Sequence, residues 1–408
     1  MTEYRSRSRR EFLKAGAAGI AGAAFIANAS CSPSPQGKST KPGSFVYRTL
    51  GRTGLRLPVV SMGSAYAVDL VRTALDEGMG YIHTSSSYSE RNQERLLGRA
   101  LRGLSRASFV IGTSPDLPYI LAPGDDRSLD VGRNVNPDLI IQSLEGSLQR
   151  LGLEYVDIYY LASVSSRESA LFEPYVKAFA SLKATGKTRF VGITTHSNEP
   201  EVIRAATGSG FWDVVLTAYN FRQSHREEIR AAIARAAAAG LGVVAMKTQA
   251  GVYWDPGRRT KINMKAALKW VLADENVHTT VPAVSNYDEL REDLSVMGNL
   301  TLTPEETRDL RLGDSTGLAG LFCQQCRRCL PQCPAGMNIP ALMRGAMYAL
   351  GYHKPQQARG VLRGYKTADI ACGRCRQCSV QCTLGLDVRS RALEVAQILA
   401  PHDRHYGA

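Results

Sequence analysis

Between residues 32 and 322 the chain contains no cysteine. A disulfide framework for its middle is therefore excluded, and any thiol chemistry is confined to the ends. No stretch approaches the ~18–20 consecutive strongly apolar residues of a membrane span, which excludes a polytopic membrane protein. Charge imbalance is missing from the middle too, where residues 32–318 hold 33 Lys/Arg against 31 Asp/Glu. Acidic residues are scarce only at the termini: two against five basic ones in residues 1–31, and four against 12 in residues 319–408. The formal net charge of +13 is thus not one nucleic-acid-binding stripe. With 44% hydrophobic and 21% charged residues over 408 positions, the chain can bury a large core, and its length fits two domains plus tails.

At the start, Ser8-Arg9-Arg10-Glu11-Phe12-Leu13-Lys14 resembles the twin-arginine export consensus. The weakly apolar run Ala15 to Ala27 after it is too short and small-sided to be a stable span. Ala27-Asn28-Ala29 fits signal-peptidase cleavage, whereas Cys31 offers a rival fate as the lipidated first residue of a lipoprotein. Residues 1–31 are read as the signal peptide and 32–44, rich in Ser, Pro and Gly, as a flexible linker. The twin-arginine machinery moves folded proteins, so the resemblance implies a cofactor installed before export. The periplasm or cell envelope is then the destination.

Eight of the nine cysteines lie between 323 and 382. Cys323, Cys326, Cys329 and Cys333, with Pro334 after them, have the C-x2-C-x2-C-x3-C-P spacing of bacterial dicluster ferredoxins, and Cys372, Cys375, Cys378 and Cys382 repeat it. Three thiolates at intervals of three reach one cubane, and the fourth is offered to the other. The expected sets are Cys323, Cys326, Cys329 and Cys382 on one [4Fe–4S] cluster, and Cys372, Cys375, Cys378 and Cys333 on the second. Thr383 replaces the proline in the second copy without removing a ligand. Ile339–Leu350, between the copies, has helical periodicity. Arg327, Arg328, Arg374 and Arg376 interleave with the ligands, either as counter-charge for the clusters or as a docking surface for an acidic electron-transfer partner.

The segment 45–300 alternates β-branched runs with amphipathic helices, the pattern of a parallel sheet buried on both faces. Strands are expected at Val59–Gly63, Tyr81–Thr84, Phe109–Thr113, Val156–Leu161, Arg189–Ile193, Val214–Thr217, Val243–Met246 and Thr279–Val281. Helices such as Asp138–Arg150, Glu227–Ala239 and Met264–Ala273 separate them, and a hairpin around Gly51–Gly54 precedes them. Eight such pairs in this length make an α/β fold, a (β/α)8 TIM barrel, followed by a mainly α-helical dicluster ferredoxin-like domain. A connecting helix is placed at 301–318, the cluster domain at 319–400 and a tail at 401–408. Chemistry in a barrel sits in loops after the strands, of which Ser114–Asn136 and Thr248–Asn263 are long.

Tyr47-Arg-Thr-Leu-Gly-Arg-Thr-Gly-Leu55 and Tyr81-Ile-His-Thr-Ser-Ser-Ser-Tyr-Ser89, with Glu94 and Leu97-Gly98, resemble signatures of the aldo/keto reductases. Val191-Gly-Ile-Thr-Thr-His196 and Val243-Val-Ala-Met-Lys-Thr248 are similar to the branch of that family with an iron–sulfur extension. The resemblance implies a site of Asp, Tyr, Lys and His around a nicotinamide. Only the tyrosine survives, as Tyr88; His83, Ser114 and Ala162 stand at the other three positions. Tyr88 without a neighbouring cation is a weak acid at neutral pH, and His83 is a substitute proton donor or a packed strand-end residue. Lys247 and His196 either face the pocket or belong to the barrel rim. Ser285 lies in the stretch where the family grips the cofactor's 2′-phosphate, but Glu289 stands where an arginine is often found, and a carboxylate repels phosphate.

The resulting expectation is an exported oxidoreductase whose two clusters pass electrons to or from a ligand in the barrel. The alternatives are an NADPH-dependent reductase with prebound cofactor, and a non-catalytic barrel serving as scaffold for an electron-transfer module.

Overall fold

A computed structural model describes residues 45–88, 92–115, 136–251, 253, 259–312, 323, 328–351, 355, 358–359, 362, 370–383 and 385–399. The expected signal peptide, linker and tail, with Cys31, Cys326, Arg327 and most of the loop Ser114–Asn136, lie outside the described residues. None of the described helices is long and apolar enough to cross a membrane.

The described chain opens with an antiparallel hairpin, β1 (Tyr47–Thr49) and β2 (Arg56–Pro58), as the sequence pattern predicts. Its turn lies against the backbone entering a later strand: a Cβ on Gly51, whose φ is +49°, would stand 2.5 Å from the carbonyl oxygen of Gly240. Arg48 donates to the carbonyls of Leu272, Asp274 and Val277, at the end of a later helix and in the turn after it. The hairpin therefore seals the end of the sheet from which the strands start.

Seven parallel strands follow in consecutive order: β3 (Tyr81–His83), β4 (Val110–Thr113), β5 (Val156–Leu161), β6 (Thr188–Thr195), β7 (Val214–Ala218), β8 (Gly242–Met246) and β9 (Thr279–Thr280). The expected first strand, Val59–Gly63, is not a full strand. It survives as single bridges, Val60 to Thr280 on one side and Met62 to Ile82 on the other. The segment nonetheless joins both edges, with Ser61 N–H donating to Thr280 and His83 N–H donating to Met62. On the β9 side the ladder is interrupted where Pro282 has no N–H to donate, and pairing goes on through Gly63 N–H to Pro282 and Val284 N–H to Ser64. The result is a curled parallel sheet with the barrel-like fold of a (β/α)8 protein.

Alternation sorts the strand side chains into two layers. Ile158, Tyr160, Val214, Leu216, Val244 and Met246 fill the interior with Leu50, Leu55 and Leu57 of the hairpin. Tyr159, Leu161, Val191, Val215, Val243 and Ala245 face outward onto the helices. These include α1 (Val68–Asp76), α2 (Asn92–Leu101), α3 (Pro137–Leu151), α4 (Arg167–Leu171), α5 (Glu173–Ala184), α6 (Glu199–Ser209), α7 (Arg226–Ala238), α8 (Met264–Leu272) and α9 (Tyr287–Met297). The sequence places α3, α7 and α8 within one residue at either end.

Inside the barrel, the Tyr81 and Tyr160 hydroxyls meet at 2.8 Å. The Tyr160 ring has room only because its neighbours lack side chains: a Cβ at Gly192 would lie 2.6 Å from it and one at Gly112 2.8 Å. Gly192→Ala is therefore expected to cost about 1–3 kcal/mol by overpacking. Chemical denaturation measures it, and an unchanged midpoint would contradict this account of the interior.

Beyond the barrel, α10 (Pro304–Asp309) begins with a capping box formed by Thr303 and Glu306, which also accepts from Lys269 on α8. Two helices, α11 (Ile339–Ala346) and α12 (Val388–Leu399), pack together over an apolar cluster of Ile339, Leu342, Met343, Val388, Ala392 and Val395. Helix α11 runs on into a π-helical turn, Met347–Gly351.

The lead-in to each helix is a structural repeat. Gly336 and Gly385 both adopt positive φ, +61° and +69°, and each N–H donates to the cysteine three residues earlier, Cys333 or Cys382. Asn338 then accepts from Ala341 N–H, and Asp387 from Ser390 N–H, as caps. The duplication thus extends past the cysteines into the turns and helix starts that follow them.

Candidate functional site

The strands carry His83, Ser114, Ala162, His196 and Lys247 to one end of the sheet, because each lies at or just past the carboxyl end of its strand. A cavity of about 150 Å³ opens there, lined among others by Gly63, Ser64, His83, Tyr88, Lys247 and Tyr348. Glu289, Glu292 and Asp293 line it as well.

His83 is 5% exposed, and its Nε2 is buried with no hydrogen-bond partner. Its ring meets Tyr160 edge-on at 5.3 Å and Tyr88 at 6.4 Å between centroids, so the packed tyrosine below holds it in place. Burial, with Lys247 nearby, lowers its pKa to about 3. Of the two readings of His83, the packed strand-end residue fits this burial better than the proton donor, since a desolvated imidazole beside an ammonium stays neutral. Tyr88 is pushed upward by burial, then by Tyr348 and Tyr66, while Arg344 opposes the shift. Its phenol is thus held protonated.

Lys247 has φ +59°, a strained value for a residue with a side chain. Its Nζ donates to the Tyr348 hydroxyl and sits 4.5 Å from the centroid of that ring. It faces the cavity rather than solvent beyond the rim. His196 has a buried Nδ1 without a partner, and its pKa is lowered by burial, then by Lys247, Arg344 and His83. Ser285 stands apart from these. Its N–H donates to Glu289 Oε2 at 2.7 Å, so the carboxylate already occupies a backbone donor that an anion would need.

Tyr348 and Arg344 were invisible to the motif reading, since both belong to the segment between the two cysteine runs. The periodicity of Ile339–Leu350 gave the helix but not its direction toward the barrel. A large aromatic on a π-helical turn, a distortion frequent at functional sites, is the signal available in hindsight.

The second group of candidates is the cysteine segment. Cys323, Cys329, Cys333 and Cys382 pack against the same apolar cluster that contains Cys372. Burial raises the Cys372 thiol, and the next largest causes are its neighbours Cys333, Cys375 and Cys378. Gln332 ties the two loops together: its Oε1 accepts from Gln381 N–H at 2.7 Å and its backbone carbonyl accepts from Ser379 Oγ at 2.7 Å. Arg389 on α12 donates to the carbonyls of Cys372 and Cys375. Among the described residues no three His, Cys, Asp or Glu side chains converge as ligands of a single ion.

A parallel barrel with polar side chains gathered at the carboxyl ends of its strands has the architecture of a barrel enzyme. Residues 50–264 match the aldo/keto reductase family, and the chain belongs to it, a family of oxidoreductases. L-glyceraldehyde 3-phosphate reductase of Escherichia coli O157:H7 is 25% identical over 325 residues, covering 65% of this chain and 91% of that protein. NADH-specific methylglyoxal reductase of Escherichia coli K12 is 30% identical over 188 residues, 42% of this chain and 56% of the relative. L-galactose dehydrogenase of Arabidopsis thaliana is 32% identical over 161 residues, 36% of this chain and 47% of the relative. Of the latter two, the chain thus spans only about half the length. The holo form of an aldo-keto reductase from Bacillus halodurans has TM-score 0.52 at 22% identity, covering 65% of this chain and 95% of that one, a likeness of fold.

Proposed function

We propose that the chain is an exported oxidoreductase in which two [4Fe–4S] clusters exchange electrons with a small molecule held in the barrel mouth. The observation that carries this reading is the joining of two duplicated cysteine loops through Gln332. Cys333, Cys375 and Cys378 act electrostatically on the Cys372 thiol, and these four are the set expected for one cluster. Cys323, Cys326, Cys329 and Cys382 would hold the other. Thiolates around a cubane each bind a different iron, so they need not converge on one point as ligands of a single zinc ion do. Bound there, the clusters supply one-electron transfer. The chain's own part is to bury the loops against apolar side chains and to hold them with Arg389. Arg374 and Arg376 add positive charge for the clusters or for an acidic electron partner.

The barrel supports a small ligand in place of a nicotinamide dinucleotide. A cavity of about 150 Å³ under Tyr348 is far smaller than a typical ligand pocket of roughly 300–1,000 Å³. Glu289 takes the Ser285 N–H, which disfavours the 2′-phosphate of NADP(H). Two relatives, reductases of L-glyceraldehyde 3-phosphate and of methylglyoxal, are consistent with small carbonyl compounds. The leader supports twin-arginine export to the periplasm or cell envelope, with the mature protein beginning after Ala29 or lipidated at Cys31.

Anaerobic purification followed by iron and sulfide assay and absorbance titration tests the reading. About eight irons per chain, no bleaching on adding NADPH and bleaching by dithionite are expected. Bleaching by NADPH would restore the nicotinamide alternative, and an iron-free chain would end the cluster assignment.

A further inference from the structure

We propose that the barrel mouth binds a small monocarboxylate, with its negative end on Lys247 and His83 beneath Tyr348. The inference rests on the reading above in taking the mouth as the reacting site, and it adds the chemical class of the ligand.

The first observation is a polar atom waiting for a partner. His83 is 95% shielded from solvent, lines the cavity, and leaves Nε2 unpaired. Buried nitrogens are rarely left so, because the desolvated group has lost its water and gained nothing. The second is an ammonium without an ion pair. No salt bridge of Lys247 is found among the described residues, although Nζ reaches Tyr348 and lines the same cavity. An ammonium carries three donors, so the contact with one phenol leaves capacity for a ligand oxygen. Arg344 stands close enough to act on both Tyr88 and His196, so a second cation borders the mouth.

Carboxylates in the same cavity set the upper limit on ligand charge. Glu289, Glu292 and Asp293 line it together with Lys247 and His83. Burial raises the Glu292 carboxyl, with Glu289 adding to the shift and Lys265 and Lys261 opposing it. A second negative group on the ligand would add to the charge of these three carboxylates, so a dicarboxylate or a phosphate-bearing acid is disfavoured. Size points the same way. A cavity of about 150 Å³ is that of a site holding a molecule of about six heavy atoms.

Calorimetric titration of the full mature chain, prepared anaerobically, with acetate, pyruvate and lactate tests the proposal. Malonate and acetone serve as the dianionic and neutral comparators. Saturable binding of at least one monocarboxylate is expected, with malonate at least about ten-fold weaker and acetone not binding. Lys247→Met should weaken the monocarboxylate at least about ten-fold, and Lys247→Arg should restore most of it. Absence of binding for all three monocarboxylates overturns the proposal, as does equal affinity for malonate. So does undiminished binding in a Lys247→Met protein with native circular dichroism. If that variant does not fold, the comparison of ligands on the unmodified chain decides alone. Iron content is read separately: a chain that binds pyruvate but holds no iron would sink the cluster reading and leave this one standing.

Discussion

On the proposed two-cluster assignment, Cys333→Ala is expected to abolish the same cluster as Cys375→Ala, although the two cysteines belong to different sequence motifs. In each variant iron should fall from about eight to about four per chain, and the surviving electron paramagnetic resonance signal should be the same one. Cys323→Ala and Cys382→Ala should both remove the other signal. The ground for this is spatial. The thiol environment of Cys372 is shaped by Cys333 together with Cys375 and Cys378, and Gln332, next to Cys333, is bonded to Gln381, next to Cys382. The last cysteine of each run thus sits where the two loops meet. If Cys333→Ala and Cys323→Ala instead remove one and the same signal, each motif serves its own cluster and the crossed assignment fails. Arg389→Ala separates support from ligation: it should leave iron near eight while making that loop easier to open to chelators, since both cysteine carbonyls lose their donor.

The largest stability effect should come from Arg150→Met, about 3–5 kcal/mol by urea denaturation monitored on the barrel's tryptophans. Glu94 is fully buried in α2. Its Oε1 accepts from Thr113 Oγ1 at 2.8 Å, and its Oε2 accepts from Arg150 Nε at 2.7 Å. Arg150 in α3 also reaches Ser147. One carboxylate thus joins two helices to the end of β4. Removing the arginine strands a charge in the interior, whereas Glu94→Gln leaves the amide able to accept from Thr113 while Arg150, 16% exposed at its side chain, can turn toward water. Arg150→Met should therefore destabilise more than Glu94→Gln, and the reverse order would contradict the buried-charge account.

The strands were legible because their signal is strong and local. Val156–Leu161 and Val214–Ala218 are β-branched or aromatic runs bounded by turns, and the structure has them at nearly the expected limits. The first strand was overread. Val59–Gly63 has the right composition, but pairing length depends on what its neighbours offer, and Pro282 lies in a stretch some 220 positions away. His83 illustrates the same limit in the site. Its position was correct at the strand end, yet its protonation is set by burial and by Lys247, which arrives from β8. Tyr348 was beyond reach for a simpler reason: no local pattern says which surface a helix meets. The converse holds for Gly336 and Gly385, whose shared placement three residues past a cysteine was readable in the sequence and lay just outside the motif.

The hairpin that seals the barrel also fixes which way the molecule looks. Phe45 is the first described residue, and Val46 N–H donates to Met297 at the end of α9, on the side where strands begin and opposite the cavity. A tether running from Cys31, in the proposed exported form, would therefore attach at the molecule's back. The mouth and Tyr348 would then point away from the anchored surface, toward whatever diffuses past it.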